Sequence, residues 1–189
     1  MKKIIVLLLV AAAAAYLLLW PVPVDPVAWD APEAPELSGR YAANDDLAEA
    51  ERLAAGQGHG PEDVAIDDQG NLYVGYEDGR LVRYDPNGEN GDLITNTEGR
   101  PLGLDLAPDG TLVVADGYRG LLRVNPASGA ITVLTDQADG VPFRFTDDVD
   151  VASDGVGYFT DASGKFGPAM KARADIIEHG GHGRFLKYD

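Results

Sequence analysis

The chain has 189 residues, 45% of them hydrophobic, and its 31 acidic and 15 basic side chains give a formal net charge of −16 at pH 7. This length allows one domain and a tail, and the acidity argues against a nucleic-acid partner, because phosphate backbones require a basic surface. The absence of cysteine excludes disulfides, thiolate nucleophiles and cysteine zinc sites.

The N-terminus is strongly apolar. Lys2 and Lys3 precede an unbroken apolar run from Ile4 to Trp20, and a helix over this run would span roughly 26 Å, close to the thickness of the hydrocarbon core of a bilayer. The sequence predicts that residues 1–24 form a single-pass transmembrane signal-anchor, with the remaining chain on the periplasmic or extracellular side. Cleavage after the alanine block, as in a secretory signal, is the alternative.

A proline-rich segment over residues 25–43 follows and predicts an extended stalk. Residues 44–54 then carry apolar side chains such as Leu47 and Leu53 at helical spacing, with Asn44 in position to cap the first turn. This pattern predicts a short helix before the main domain.

From residue 60 onward the chain repeats one pattern of short strands and tight turns. The turn glycines Gly70, Gly110 and Gly155 lie 40 and 45 residues apart, a period typical of propeller blades. The strands are predicted at residues 63–66, 72–76, 81–84 and 93–95, at 103–107, 112–115, 121–125 and 131–134, and at 148–152, 157–160 and 185–188.

The third copy has no outermost strand, and residues 164–183 interrupt it with an insertion that is compatible with a helix near Met170–Ile177. Propellers normally have four to eight blades, so three copies do not close a ring. We therefore expect residues 44–189 to be the first part of an all-β propeller that needs further blades.

Six motifs follow one another in a fixed order: GPED at 60–63, GRPLG at 99–103, VADGYRGL at 114–121, DDVDVA at 147–152, YFTDAS at 158–163 and GRFLKYD at 183–189. Together they resemble the strictosidine synthase-like family, in particular the branch of adipocyte plasma membrane-associated proteins. The wider superfamily that this implies includes gluconolactonases and paraoxonases. The resemblance implies a six-bladed β-propeller, of which residues 44–189 would supply the N-terminal half.

The resemblance also implies calcium, or another divalent cation, in the central channel. The innermost strand of each blade begins near the propeller axis, so acids at these positions should converge, and calcium prefers such oxygen ligands. Glu62 and Asp63 of the first blade and Asp147 and Asp148 of the third are the expected metal ligands. The alternative is that these acids only cap turns and bind backbone amides.

Arg100 and His59 are expected near the channel mouth, where they could bind substrate; a packing salt bridge and a solvated loop histidine are the alternatives. Paraoxonase-like relatives activate water with two histidines, and Leu102 and Asp116 stand at the corresponding positions here. The catalytic residues are therefore not identified. His179 and His182 lie in the insertion, which could form a lid.

Taken together, the resemblance implies a membrane-anchored propeller that hydrolyses small-molecule esters or lactones with a divalent cation. Two alternatives stay open: an amine–aldehyde condensing lyase of the strictosidine synthase type, and a non-catalytic propeller that binds a ligand. The condensing reaction relies on a glutamate in a later blade, so no residue present in this sequence supports it.

Overall fold

The computed structural model describes residues 2–168 and 173–189. Its first element is helix α1 (Lys2–Leu19), whose side chains are all exposed. In the described part of the chain, α1 is the one helix long and apolar enough to cross a membrane, with a mean hydropathy of 2.2. A secretory signal has the same properties.

The segment between α1 and the first strand contains one 3-10 turn, Gly39–Tyr41. The short helix predicted over residues 44–54 is wrong: this stretch forms separate turns. Asn44 Oδ1 does accept a hydrogen bond from the Asp46 N–H at 3.2 Å, but Leu47 is 83% exposed. No apolar helix face would be buried, and a short isolated helix is unstable in water.

Three antiparallel sheets follow, each formed by consecutive strands. The predicted strands are confirmed to within about two residues, whereas a small hairpin between the second and third sheets was not predicted. The first sheet contains β1 (Val64–Ile66), β2 (Leu72–Gly75), β3 (Arg80–Tyr84) and β4 (Asp92–Asn96). The second contains β5 (Pro101–Leu106), β6 (Leu112–Asp116), β7 (Gly120–Val124) and β8 (Ile131–Thr135). The hairpin is β9 (Gln137–Ala138) and β10 (Val141–Pro142), and the third sheet contains β11 (Thr146–Val151), β12 (Gly157–Asp161) and β13 (Arg184–Tyr188).

The turn between the first two strands of each sheet combines an aspartate with a glycine. Asp67 Oδ1 accepts hydrogen bonds from the N–H groups of Gln69 and Asn71, both at 2.9 Å. Gly70 follows with a φ of 82°, a left-handed conformation that favours glycine. In the other two sheets the aspartate directly precedes the glycine: Asp109 and Asp154 accept hydrogen bonds from the N–H groups of Thr111 and Val156, and Gly110 and Gly155 also have positive φ.

The three sheets stack face to face and bury two apolar layers. Leu81 of the first sheet packs with Val114 and Leu122 of the second, and all three are fully buried. On its opposite face the second sheet contributes Leu121 to a cluster with Phe159 of the third sheet. We call these two layers the first seam and the second seam. The arrangement is propeller-like and mostly β, because each sheet buries its apolar face against the next.

The outer faces of the stack differ from one another. The first sheet is partly covered, since Ala54 packs against its outward cluster of Val74, Tyr76, Val82 and Tyr84. The third sheet exposes Tyr158 and Phe185, which are 40% and 75% accessible and stack with ring centroids 6.2 Å apart.

The insertion between β12 and β13 contains α2 (Arg173–Glu178). The predicted helix near Met170–Ile177 therefore overlaps an observed one, although residues 170–172 lie outside the described residues.

Candidate functional site

An acidic cavity of about 280 Å³ opens where the innermost strands of the first and third sheets begin. All four predicted ligands reach it, because β1 and β11 start at the same end of the stack. The cavity is lined by Glu62, Asp63, Leu102, Gly103, Asp147 and Asp148.

Asp63 joins the cavity to the first seam. Its Oδ1 accepts a hydrogen bond from the Val64 N–H at 2.8 Å, and its Oδ2 accepts one from the Leu104 N–H of the second sheet at 3.0 Å. Both oxygens are thus engaged with the backbone, so Asp63 is the acid of the cavity that is most committed to holding the fold.

Asp147 has the least compensated charge of the four. Burial raises the pKa of the Asp147 carboxyl, and the negative charges of Asp148 and Glu62 raise it further. No hydrogen bond to this carboxylate occurs among the described residues, whereas Asp148 Oδ1 accepts one from the Val149 N–H at 3.0 Å. A cation or a proton in the cavity would relieve the repulsion that Asp147 experiences.

Gly103 lets the second and third sheets approach beside the cavity. A Cβ at this position would lie 2.6 Å from both the Cα and the Oδ1 of Asp148. Any other residue would therefore push the sheets apart or displace the Asp148 carboxylate. The close contact between β5 and β11 at the wall of the cavity is possible because residue 103 has no side chain.

The four carboxylates suit a hard cation chemically, but they are spread over the cavity wall. Among the described residues, a compact group of three possible ligands occurs in the insertion instead. It consists of Asp175, Glu178 and His182, whose ligand atoms all lie within 4.8 Å of one another. A cation in the acidic cavity would therefore take part of its oxygen shell from water or from other groups.

A wider vestibule of about 480 Å³ adjoins the acidic cavity and shares Glu62 and Leu102 with it. Its other lining residues are Gly60, Glu77, Arg100, Tyr118, Phe145 and Pro168. The Arg100 side chain is 13% exposed, and its Nη2 lies 3.4 Å from Glu62 Oε1. Arg100 Nη1 is buried without a hydrogen-bond partner in the described chain.

The histidines lie elsewhere. His59 is exposed and lines neither the acidic cavity nor the vestibule. His182 belongs to the insertion, where its Nδ1 lies 2.5 Å from Asp175 Oδ1, and His179 stacks obliquely near Trp29 with ring centroids 5.9 Å apart. Substrate contact by Arg100 is compatible with its position, and substrate contact by His59 stays a prediction.

Two fully buried aspartates, Asp116 and Asp161, organise the loops around the vestibule and were not identified from the sequence. Asp116 Oδ1 accepts hydrogen bonds from the N–H groups of Arg100 and Tyr118, both at 3.0 Å. Asp161 Oδ1 accepts one from the Phe145 N–H at 2.8 Å. Each aspartate stands six positions after a turn glycine, so the repeat itself carried the signal.

Comparison with known proteins relates this chain to one family. A family model described as strictosidine synthase-like, N-terminal, matches residues 39–84. Strictosidine synthase-like protein 4 of Arabidopsis thaliana is 40% identical over 148 residues, which cover 76% of this chain and 40% of that protein. Adipocyte plasma membrane-associated protein of Rattus norvegicus is 34% identical over 197 residues, covering 92% of this chain and 50% of that protein. The chain thus spans half or less of the length of these curated relatives.

A solved structure described as a putative gluconolactonase resembles the fold, with a TM-score of 0.53 and 18% identity. The match covers 72% of this chain and 47% of that one. At this identity the likeness concerns the fold alone.

Proposed function

Because the chain belongs to the strictosidine synthase-like family, we propose that it is part of a six-bladed propeller that hydrolyses esters or lactones at the acidic cavity with a divalent cation, calcium above all. The observation that carries the proposal is the meeting of Glu62, Asp63, Asp147 and Asp148 in one cavity. The chain covers about half of its relatives' length, and the proposal concerns the whole protein to which these residues belong.

Glu62, Asp147 and Asp148 would hold the cation, while Asp63 positions β1 through its two backbone hydrogen bonds. When bound, the cation supplies a Lewis acid that polarises the carbonyl of the substrate and stabilises the developing oxyanion. It also compensates the mutual repulsion of the carboxylates. Carboxylates on separate strands keep the donor set fixed without the cation, which reduces the reorganisation that binding requires.

The vestibule would bind the remainder of the substrate. Arg100 lines the vestibule, and its positive charge would favour a carbonyl or carboxylate oxygen there. Phe145 and Pro168 offer apolar surface beside it. This combination favours a substrate with an oxygen acceptor next to an apolar group, as esters and lactones have.

We further propose that α1 is a retained anchor and that the sheets lie on the periplasmic or extracellular side. The length and hydropathy of α1 support this, together with the two lysines that precede its apolar run. The membrane association printed in the name of the rat relative agrees with it.

A second candidate is a propeller that binds a ligand without catalysis. It is favoured by one observation: among the described residues, those that line the acidic cavity include no histidine, serine or cysteine, which leaves the carboxylates as the only bases there. Both candidates bind their ligand at the acidic cavity, and only the first of them hydrolyses it.

The test uses the whole protein to which these residues belong, in detergent. Calorimetric titration should show calcium uptake, and hydrolysis of phenyl acetate and of a γ-lactone should require calcium and stop with a chelator. Glu62→Gln should weaken calcium binding by about 1–3 kcal/mol, as expected for the loss of one charged partner. Asp109→Asn, which removes the same charge at an exposed turn, is the matched control and should bind calcium like the wild type.

The possible results separate the candidates. Calcium uptake without hydrolysis supports the ligand-binding propeller. No calcium uptake, or a Glu62→Gln variant that binds as tightly as the Asp109→Asn control, contradicts the cation proposal.

A further inference from the structure

The segment that follows α1 docks onto the insertion. The Asp25 N–H donates a hydrogen bond to Glu178 Oε1 at 2.8 Å, and the Val27 N–H donates one to the Ile177 carbonyl at 3.0 Å. Trp29 then lies beside His179. We call residues 25–29 the strap. These contacts, although separated by about 150 positions in sequence, make the strap and α2 one structural unit.

The surface of this unit is apolar. Val27 is 53% exposed, Trp29 63%, Ile176 68% and Ile177 49%. Single exposed apolar side chains are normal on a protein surface, whereas clusters of them mark interaction sites. These four large side chains lie on two adjoining segments and form such a cluster. We call these four residues the strap–helix patch.

The acidic side chains of α2 are covered and engaged in hydrogen bonds. Glu178 is 8% exposed, and its oxygens lie 2.6 and 2.7 Å from Lys165 Nζ. Asp175 is paired with His182 at 2.5 Å. In a chain of net charge −16, α2 thus presents apolar side chains and the exposed Arg173 to solvent, while its own carboxylates face inward.

The patch is also tied closely to α1. Val27 follows Trp20 by seven positions, and a fully extended chain of seven residue steps reaches roughly 25 Å. The hydrogen bond from Val27 to Ile177 therefore keeps α2 within about that distance of the end of α1. If α1 spans a bilayer, α2 cannot move far from its surface.

From these observations we propose that the strap–helix patch lies in the interface of the bilayer that α1 spans, with Trp29, Ile176 and Ile177 among the headgroups and upper acyl chains. The proposal rests on the proposed anchoring of α1. Tryptophan is favoured at this depth, and apolar side chains of interfacial helices are buried about 5–10 Å into the boundary region.

The lipid that fits is zwitterionic. Asp25 and Asp30 are exposed at the two ends of the patch and would be repelled by a strongly anionic surface, whereas apolar insertion needs no net lipid charge. The insertion also contributes Pro168 to the vestibule, so docking would fix the orientation of the vestibule relative to the bilayer.

The test uses the two tryptophans of the chain as separate reporters. The full chain is reconstituted in phosphatidylcholine vesicles whose acyl chains are brominated close to the headgroup. Trp20→Phe leaves Trp29 as the reporter of the patch, and Trp29→Phe leaves Trp20 as the reporter of α1. We expect bromine to reduce Trp29 emission about twofold, since quenching requires the ring to reach the interfacial depth.

Adding Ile177→Asp to the Trp20→Phe variant should restore Trp29 emission. Leu93→Asp is the matched control, because Leu93 is 63% exposed on β4 and outside the patch; it should leave the quenching unchanged.

The outcomes distinguish the patch from the anchor. Quenching of Trp20 without quenching of Trp29 overturns the patch and leaves the anchor standing. Quenching of Trp29 alone contradicts the anchor and therefore overturns the placement of the patch beside a membrane-spanning α1, and quenching of neither overturns both. Bromine could also leave Trp29 unaffected while aqueous quenchers fail to reach it only at high protein concentration. That result would show that a second copy of the chain covers the patch, and it would overturn the lipid proposal.

Discussion

At Asp147, burial and the charges of Asp148 and Glu62 all raise the pKa of one carboxyl group. Between the usual value of 3.8 and this raised value, the folded chain binds more protons than the unfolded chain. The free energy of unfolding therefore falls as the pH rises through that window. A residue that lowers stability at neutral pH is consistent with a site selected for binding rather than for folding.

We predict that Asp147→Asn stabilises the metal-free chain at pH 7, because it removes the repulsion and keeps the shape. The midpoint of thermal unfolding, Tm, should rise by the order of 2 °C for a chain of this length, measured in the presence of a chelator. The gain should disappear below about pH 4, where wild-type Asp147 is protonated. An equal gain at both pH values, or the same gain for Asp109→Asn, would contradict this account.

Gly103 affects stability because its missing side chain lets Asp148 of the third sheet approach closely. A Cβ placed there would lie 2.6 Å from the Cα of Asp148, which is backbone and cannot move aside as a flexible side chain can. We predict that Gly103→Ala lowers the free energy of unfolding by about 1–3 kcal/mol, the usual cost of overpacking, and weakens calcium binding. Denaturant titration measures the first effect.

Gly157→Ala is the matched control for this variant, since Gly157 lies in β12 and a Cβ there would meet nothing within 4 Å. Equal stability of the two variants would mean that the second seam can separate beside residue 103 without cost.

At the scale of the strands, side-chain carboxylates connect adjacent sheets in addition to apolar packing. Asp105 of β5 accepts hydrogen bonds from its neighbour Leu106 and from Val151 of the third sheet, both at 2.7 Å. Asp63 makes the corresponding connection from the first sheet to Leu104. Each seam thus contains one carboxylate whose two oxygens are divided between its own strand and the next sheet.

Asp105→Asn should destabilise the second seam. Asparagine has one acceptor oxygen where aspartate has two, so one of the two N–H donors would face an amide NH₂ group. We predict a loss of about 1–2 kcal/mol in the free energy of unfolding, in the range for an unsatisfied buried donor. Asp109→Asn should lose much less, and a loss in Asp109→Asn as large as that in Asp105→Asn would show that aspartate-to-asparagine changes are costly here regardless of the seam.

Strands and turns were predictable because their signals are local. A turn is specified without reference to the remaining fold by an aspartate at its start and a glycine at positive φ, as at Asp67 and Gly70. The helix expected over residues 44–54 failed because its formation depends on a face to pack against. The connection of Asp105 to Val151 spans 46 positions, so it follows from how the sheets stack and not from any short motif.

The convergence of Glu62, Asp63, Asp147 and Asp148 was also predictable, since strands that begin a blade begin near one axis. The spacing of their oxygens was not, because it depends on the stacking of the sheets and on the size of residue 103. The vestibule was not predicted. The repeat places Asp116 and Asp161 at equivalent positions, but their hydrogen bonds to N–H groups 16 positions away depend on how the loops fold.

In the molecule as a whole, the third sheet presents an apolar outer face, whereas that of the first is partly covered by residues around Ala54. Tyr158 and Phe185 of this outer face stack on each other and are exposed. Equivalent positions of the second sheet are buried in the second seam. We therefore expect the third sheet, and not the first, to drive any self-association of the chain.

Phe185→Asp should shift the chain toward the monomer, because it places a charge on the outer face without touching the seams. Size-exclusion chromatography of the full chain in detergent measures the shift, and Leu93→Asp, an equally drastic change on an exposed strand residue of the first sheet, is the control. Equal effects of both changes would contradict a specific role of the third sheet.

Asp63 belongs at once to the lining of the acidic cavity and to the first seam. A charge that enters the cavity acts on the same carboxylate that accepts the Leu104 N–H, so occupancy and the cohesion of the first two sheets are thermodynamically linked. Such linkage is reciprocal: a ligand that favours the ionised carboxylate strengthens the contact between the sheets, and a substitution deep in the first seam changes the affinity of a cavity that it does not touch.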